Sequence, residues 1–141
     1  MVICIDSCVF IRGLIREEAD TRQLLGLIGP EIQLVIPRLV AVEVTRNLTT
    51  RPQQVAFYSL LHKNENAAII DAPIPPRLIA RYLALGLSEK GDAIIGAFAE
   101  WMQVDYLISD NRHFLQELRT DAYRLLTPGD FLEILQGEPK P

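Results

Sequence analysis

The sequence predicts an α/β protein, a single three-layer α/β/α domain over residues 1–141 with helices on both faces of a parallel sheet. Two observations predict it. Five short runs read as continuous apolar segments without the in/out alternation of a half-exposed sheet, which is the pattern of strands buried on both faces. Between them lie longer stretches with helical spacing, punctuated by Gly and Pro, and strands alternating with helices call for parallel crossovers.

The first run, Val2-Ile3-Cys4-Ile5, reads as a short buried strand closed by Asp6. An amphipathic helix follows over residues 9–16, with Arg12 and Arg16 one turn apart on the same face. Residues 20–28 read as a second helix, with Asp20 or Thr21 as its N-cap and Gly29-Pro30 as its stop. Residues 32–36 form the second strand, and Pro37, well tolerated in a first turn, opens a helix to about Leu48 with Glu43 in its middle. Pro52 starts another helix, Gln53 to about His62, which the polar run 63–66 ends.

Ala67 to Ile70 is the third strand. Pro73, Pro75 and Pro76 then form a rigid entry to a helix from Arg77 to Leu85, closed by Gly86. The most apolar helix, Ala93 to about Met102, has Ser88 as its N-cap and Asp92 near its first turn, where the helix dipole favours negative charge. Val104 to Ser109 is the fourth strand, closed by Asp110, and Phe114 to Arg119 a short helix. Tyr123 to Leu126 is the fifth strand, and Gly129 to Leu135 the last helix. No repeat, linker or low-complexity stretch interrupts this order.

Composition narrows the function classes. With 49% apolar residues the chain can bury a core, which excludes disorder. Cys4 and Cys8 alone provide neither a disulfide framework nor a zinc site, and they read as thiols of a reducing cytosol. The apolar N-terminus is broken by Asp6 and Arg12, so it is neither a signal peptide nor a membrane span, and a soluble cytoplasmic protein is expected. Net charge is −4; setting four of the 18 acids aside leaves 14, equal to the 14 Lys and Arg. The strong basic bias of a protein that grips duplex DNA by electrostatics alone is missing.

Those four acids are Asp6, Glu43, Asp92 and Asp110, each at the end of an apolar strand or within an apolar helix. Alone, each has a bland explanation as a cap, a helix-dipole partner or a solvated side chain. Together they are spread too widely for a local ion-binding loop, whose ligands fall within about a dozen residues. Only a fold could gather them, at the carboxyl edge of a parallel sheet where ligands of such folds bind. Buried carboxylates are paired, hydrogen-bonded or metal-bound, and with no matching Arg assigned to them the group points to a cation. Hard oxygen ligands suit Mg²⁺ or Mn²⁺, and the chemistry such a site serves is in-line phosphodiester hydrolysis.

The segments Ile3-Cys4-Ile5-Asp6-Ser7, Pro37 through Glu43, Gly91-Asp92-Ala93-Ile94-Ile95 and Leu107-Ile108-Ser109-Asp110 resemble, in order and across nearly the whole chain, the PIN domain family of metal-dependent nucleases, particularly VapC-type toxins of toxin-antitoxin pairs. The resemblance implies a five-stranded parallel sheet of order 3-2-1-4-5 and cleavage of single-stranded RNA by one or two Mg²⁺ or Mn²⁺ ions. It implies Asp6 and Asp92 as principal metal ligands, with Asp110 completing the site directly or through water. Glu43 would bind a second metal or position the attacking water, and Ser7 and Ser109 would support the carboxylates. Cys8 stands where many relatives carry Asn or Ser, so a hydrogen bond beside Asp6 is expected to be weaker or missing.

Arg12, Arg46 and Arg112 are the first candidates for RNA contacts, whether the RNA is single-stranded or structured; Arg16, Arg51, Lys90 and His113 follow. Val55, Phe57, Tyr58, Leu60 and Leu61 give one helix two apolar faces, which suggests a homodimer or a groove for an antitoxin protein. Three readings compete: a non-catalytic RNA- or protein-binding module of the same fold, an RNA-processing nuclease without an antitoxin, and a phosphate-accepting domain. The last wants a Lys near the chain end, and none occurs between Lys90 and Lys140.

Overall fold

A computed structural model describes residues 1–62, 65–87 and 90–137. In chain order the elements are β1 (Val2–Ile5), α1 (Ser7–Leu14), α2 (Ala19–Gly26), β2 (Gln33–Pro37), α3 (Arg38–Asn47), α4 (Arg51–His62) and β3 (Ala67–Ile70). There follow α5 (Pro76–Ala84), α6 (Lys90–Trp101), β4 (Tyr106–Ile108), α7 (Arg112–Glu117), β5 (Arg124–Leu126) and α8 (Pro128–Leu135). The five strands form one parallel sheet in the order β3-β2-β1-β4-β5, with helices on both faces.

β1 lies at the centre because it has the residues for it. Ile3, Cys4 and Ile5 are fully buried, one side chain after another, which is possible only where both faces of a strand are covered. Its register sets Ile5 beside Ile108 of β4, and the Asp6 amide donates to the Ile108 carbonyl at 2.9 Å. Asp6 and the residues after β4 therefore leave the sheet at the same edge. On the helical side Phe10 of α1 meets Phe57 of α4 edge-on, ring centroids 5.7 Å apart, an arrangement worth about 0.5–1.5 kcal/mol beyond the area it buries.

α5 packs on α6 at a point where a glycine gives close approach. A Cβ at Gly96 would come within 2.8 Å of the Tyr82 ring and 3.2 Å of the Tyr123 hydroxyl, which itself donates to the Gly96 carbonyl.

Several boundaries differ from the sequence reading for local reasons. α1 starts at Ser7 rather than residue 9, because Asp6 is its N-cap and accepts the Ser7 amide. α2 is preceded by Glu18 and not by Asp20 or Thr21: the Asp20 carboxylate takes the Thr21 amide, and the Thr21 hydroxyl donates to the Glu18 carbonyl. β4 is three residues long, since Gln103 turns the chain with φ 54° and Ser109 has left the strand. The expected cap at Ser88 lies outside the described residues. No helix among the described residues is long and apolar enough to cross a membrane.

Candidate active site

Asp6 is the focus of the carboxyl edge and is only 4% exposed. Its Oδ1 accepts the Ser7 amide at 2.7 Å, and its Oδ2 accepts the Ser109 hydroxyl at 2.8 Å. Ser109 is held in turn by the Asn111 amide, which donates to its Oγ at 3.1 Å. These bonds favour the ionised form, but burial outweighs them, and the nearby charge of Glu43 adds to it, so the Asp6 carboxyl is raised above the ordinary Asp range.

Glu43 reaches this position from the middle of α3, and the Ser7 hydroxyl, 3.5 Å from Asp6, donates to it at 2.7 Å. Ser7 thus joins the two acids. Asn47, one turn on, donates its side-chain amide to the Glu43 backbone carbonyl at 2.8 Å and leaves the carboxylate free to face Ser7. The solvated-face alternative for Glu43 is set aside by this geometry.

Cys8 lies in the same pocket. Its Sγ is 3.7 Å from Asp6 Oδ2 and 3.8 Å from Ser109 Oγ, so the bond expected to be weak or missing is present as a thiol contact. Burial and the adjacent Asp6 charge push the thiol up to about 12, which keeps it protonated as a donor at neutral pH.

Asp92 is buried at the first turn of α6, the helix that packs against α3. Asp110, two residues past β4, is part-buried and forms an ion pair with Arg12 on the last turn of α1. Arg12 also holds Glu18, with Nη2 3.2 Å from Oε1. This corrects the expectation that no Arg matches the acids: one does, and it is committed to Asp110 and Glu18. Sequence periodicity could not show it, because Glu18 returns to Arg12 through a turn in which Glu17 has φ 53°. Arg46, Arg112 and His113 are exposed, as is His62.

The donor set suits a hard divalent cation: carboxylate oxygens from Asp6 and Glu43 joined through Ser7, with burial disfavouring the charged form of Asp6. Among the described residues, no group of three or more His, Cys, Asp or Glu is already gathered as a metal cluster. A separate cavity of about 790 Å³ involves the loops that enter β4 and β5, the sheet edge away from Asp6. Two of its acids are engaged: Glu100 pairs with Arg81 and accepts the Tyr82 hydroxyl at 2.9 Å, while Asp105 accepts the Val2 amide.

The PIN domain family model matches residues 3–118, which span all four acids. The chain belongs to the PIN domain family. Among solved structures, the PIN chain is similar to VapBC2 from Rickettsia felis bound to a DNA fragment from their promoter: 16% identity, TM-score 0.61, covering 90% of this chain and 98% of that one. PAE2754 from Pyrobaculum aerophilum is likewise similar, at 16% identity and TM-score 0.61, over 98% of this chain and 97% of that one. At this identity the likeness establishes the fold. No curated protein matches the chain.

Proposed function

We propose that this PIN domain is a Mg²⁺- or Mn²⁺-dependent endoribonuclease that hydrolyses phosphodiester bonds of RNA, and that it is the toxin of a toxin-antitoxin pair. The observation that carries the reading is the buried Asp6 carboxylate at the end of β1, linked through Ser7 to Glu43 and through Ser109 to the segment that bears Asp110. When bound, the divalent ion supplies Lewis-acid activation of the phosphodiester and of water. The residues that would hold it are Asp6 and Asp92, with Asp110 joining directly or through water.

The chain's own side chains do the remaining work. Ser7 and Ser109 fix the rotamer of Asp6 by donating to its two oxygens from opposite sides, the backbone amide of Ser7 and the hydroxyl of Ser109. Glu43, oriented by the Ser7 hydroxyl, would accept a proton from the attacking water or hold a second ion. The exposed Arg46 and Arg112 supply positive charge for RNA phosphates. The proposed antitoxin partner rests on the likeness to the VapBC2 structure, and the exposed Val55 and Tyr58 of α4 suit a second copy of the chain.

Single-stranded RNA incubated with the protein in Mn²⁺ tests the activity. Asp6→Asn and Asp92→Asn should each lower the cleavage rate by at least about a hundredfold, beyond what loss of a mere supporting contact costs. Cleavage by both variants at the unmodified rate would end the proposal.

A further inference from the structure

We propose that Arg12 is a positioning residue of the acidic site: its guanidinium, held on one side by Glu18, neutralises Asp110, and a divalent cation gains Asp110 only by displacing it. The inference rests on the reading of the carboxylates as cation ligands.

The geometry is that of one fork shared by two acids. Nε and Nη2 of Arg12 face Glu18, while Nη1 faces Asp110. A planar guanidinium offers its donors in fixed directions, so both carboxylates can be served at once. The Glu18 side is built into the backbone: Glu17 takes a left-handed φ of 53°, and the Glu18 amide donates to the Arg12 carbonyl at 3.1 Å. This turn brings Glu18 to Arg12, where it draws on the same guanidinium charge as Asp110. The Asp110 side is the exchangeable one, since Asp110 follows Ser109, whose hydroxyl touches Asp6.

Arg12 and Asp110 are neither open to solvent nor fully dry, with side chains 35% and 23% exposed. Screening leaves such a pair modest, so a divalent ion with Asp6 as a further ligand can outcompete it. One positive charge divided between two acids also fixes the direction of each variant. Removing Arg12 frees Asp110 for the ion. Removing the Glu18 charge leaves the guanidinium wholly to Asp110 and strengthens the competitor.

Calorimetric titration of the full chain with Mn²⁺ at low ionic strength measures this. Arg12→Gln should bind about fivefold more tightly, the scale of one part-exposed ion pair, and Glu18→Gln more weakly than the unmodified protein. With Asp110→Asn already in place, adding Arg12→Gln should change nothing. Unchanged or weaker binding by Arg12→Gln, with Asp6→Asn still abolishing the binding of the unmodified protein, overturns this inference alone. Equal tightening in the Asp110→Asn background also overturns it, because the effect would then be a general field. If neither the unmodified protein nor any variant binds Mn²⁺, the site reading and this inference fall together. Glu18→Gln gives an independent answer should Arg12→Gln fold poorly, as judged by circular dichroism.

Discussion

At the scale of a residue, Asp6 sets function against stability. Its carboxyl ionises above the ordinary value of 3.8 because burial penalises the charge, and the hydrogen bonds from Ser109 and Ser7 only partly offset this. In the pH window between that ordinary value and the raised one, the folded chain holds a proton that the unfolded chain has lost. Stability from this group is complete below the window and is lost as pH rises through it. Asp6→Asn removes the loss. In chelator, the stability of Asp6→Asn relative to the unmodified protein should therefore grow with pH across the window, by at most about 1.4 kcal/mol per pH unit, and then level off. Urea unfolding of both proteins at a series of pH values checks this; a difference that stays flat or shrinks with rising pH would contradict it. That Asp6 closes an apolar strand is legible in the sequence. That the Cys8 thiol would lie against it is not, because the contact depends on how the first turn of α1 leaves the sheet.

At the scale of an element, α6 carries Asp92 at one end and the α5 contact in its middle. Gly96 costs the helix about 1 kcal/mol of propensity relative to Ala, yet Gly96→Ala would drive a methyl into the buried Tyr82 ring, whose hydroxyl is tied to Glu100. Overpacking of this kind costs about 1–3 kcal/mol, so a net loss of about 1 kcal/mol is expected. Equilibrium denaturation reads it, and a stabilised variant would show that α5 yields. The helical character of α6 was evident from its apolar run, while the meaning of its glycine was not, since Tyr82 and Tyr123 are brought to it by other elements. The Arg12–Glu18 link escaped for a similar reason: helical spacing governs residues within a helix, and this pair spans its end.

At the scale of the whole molecule, α4 buries Phe57 against Phe10 and leaves Val55 and Tyr58 about half exposed. One apolar face is thus used inward and a second remains outside. The chain should show a light-scattering mass of two copies at micromolar concentration, and Val55→Glu with Tyr58→Glu should reduce it to one with an unchanged circular dichroism spectrum; a single-chain mass for the unmodified protein would refute the dimer. By itself the sequence determined the α/β class, the five strands and the four acids, because periodicity and apolar runs are local consequences of burial. The strand order it supported only through the resemblance to PIN domains. Which charges meet was decided by tertiary structure alone: Ser7 between Asp6 and Glu43, and Arg12 between Glu18 and Asp110. The physical reason is range. Burial leaves its mark on each residue's own neighbours in the chain, whereas electrostatic partners are chosen by side-chain reach across elements that only the folded sheet brings together.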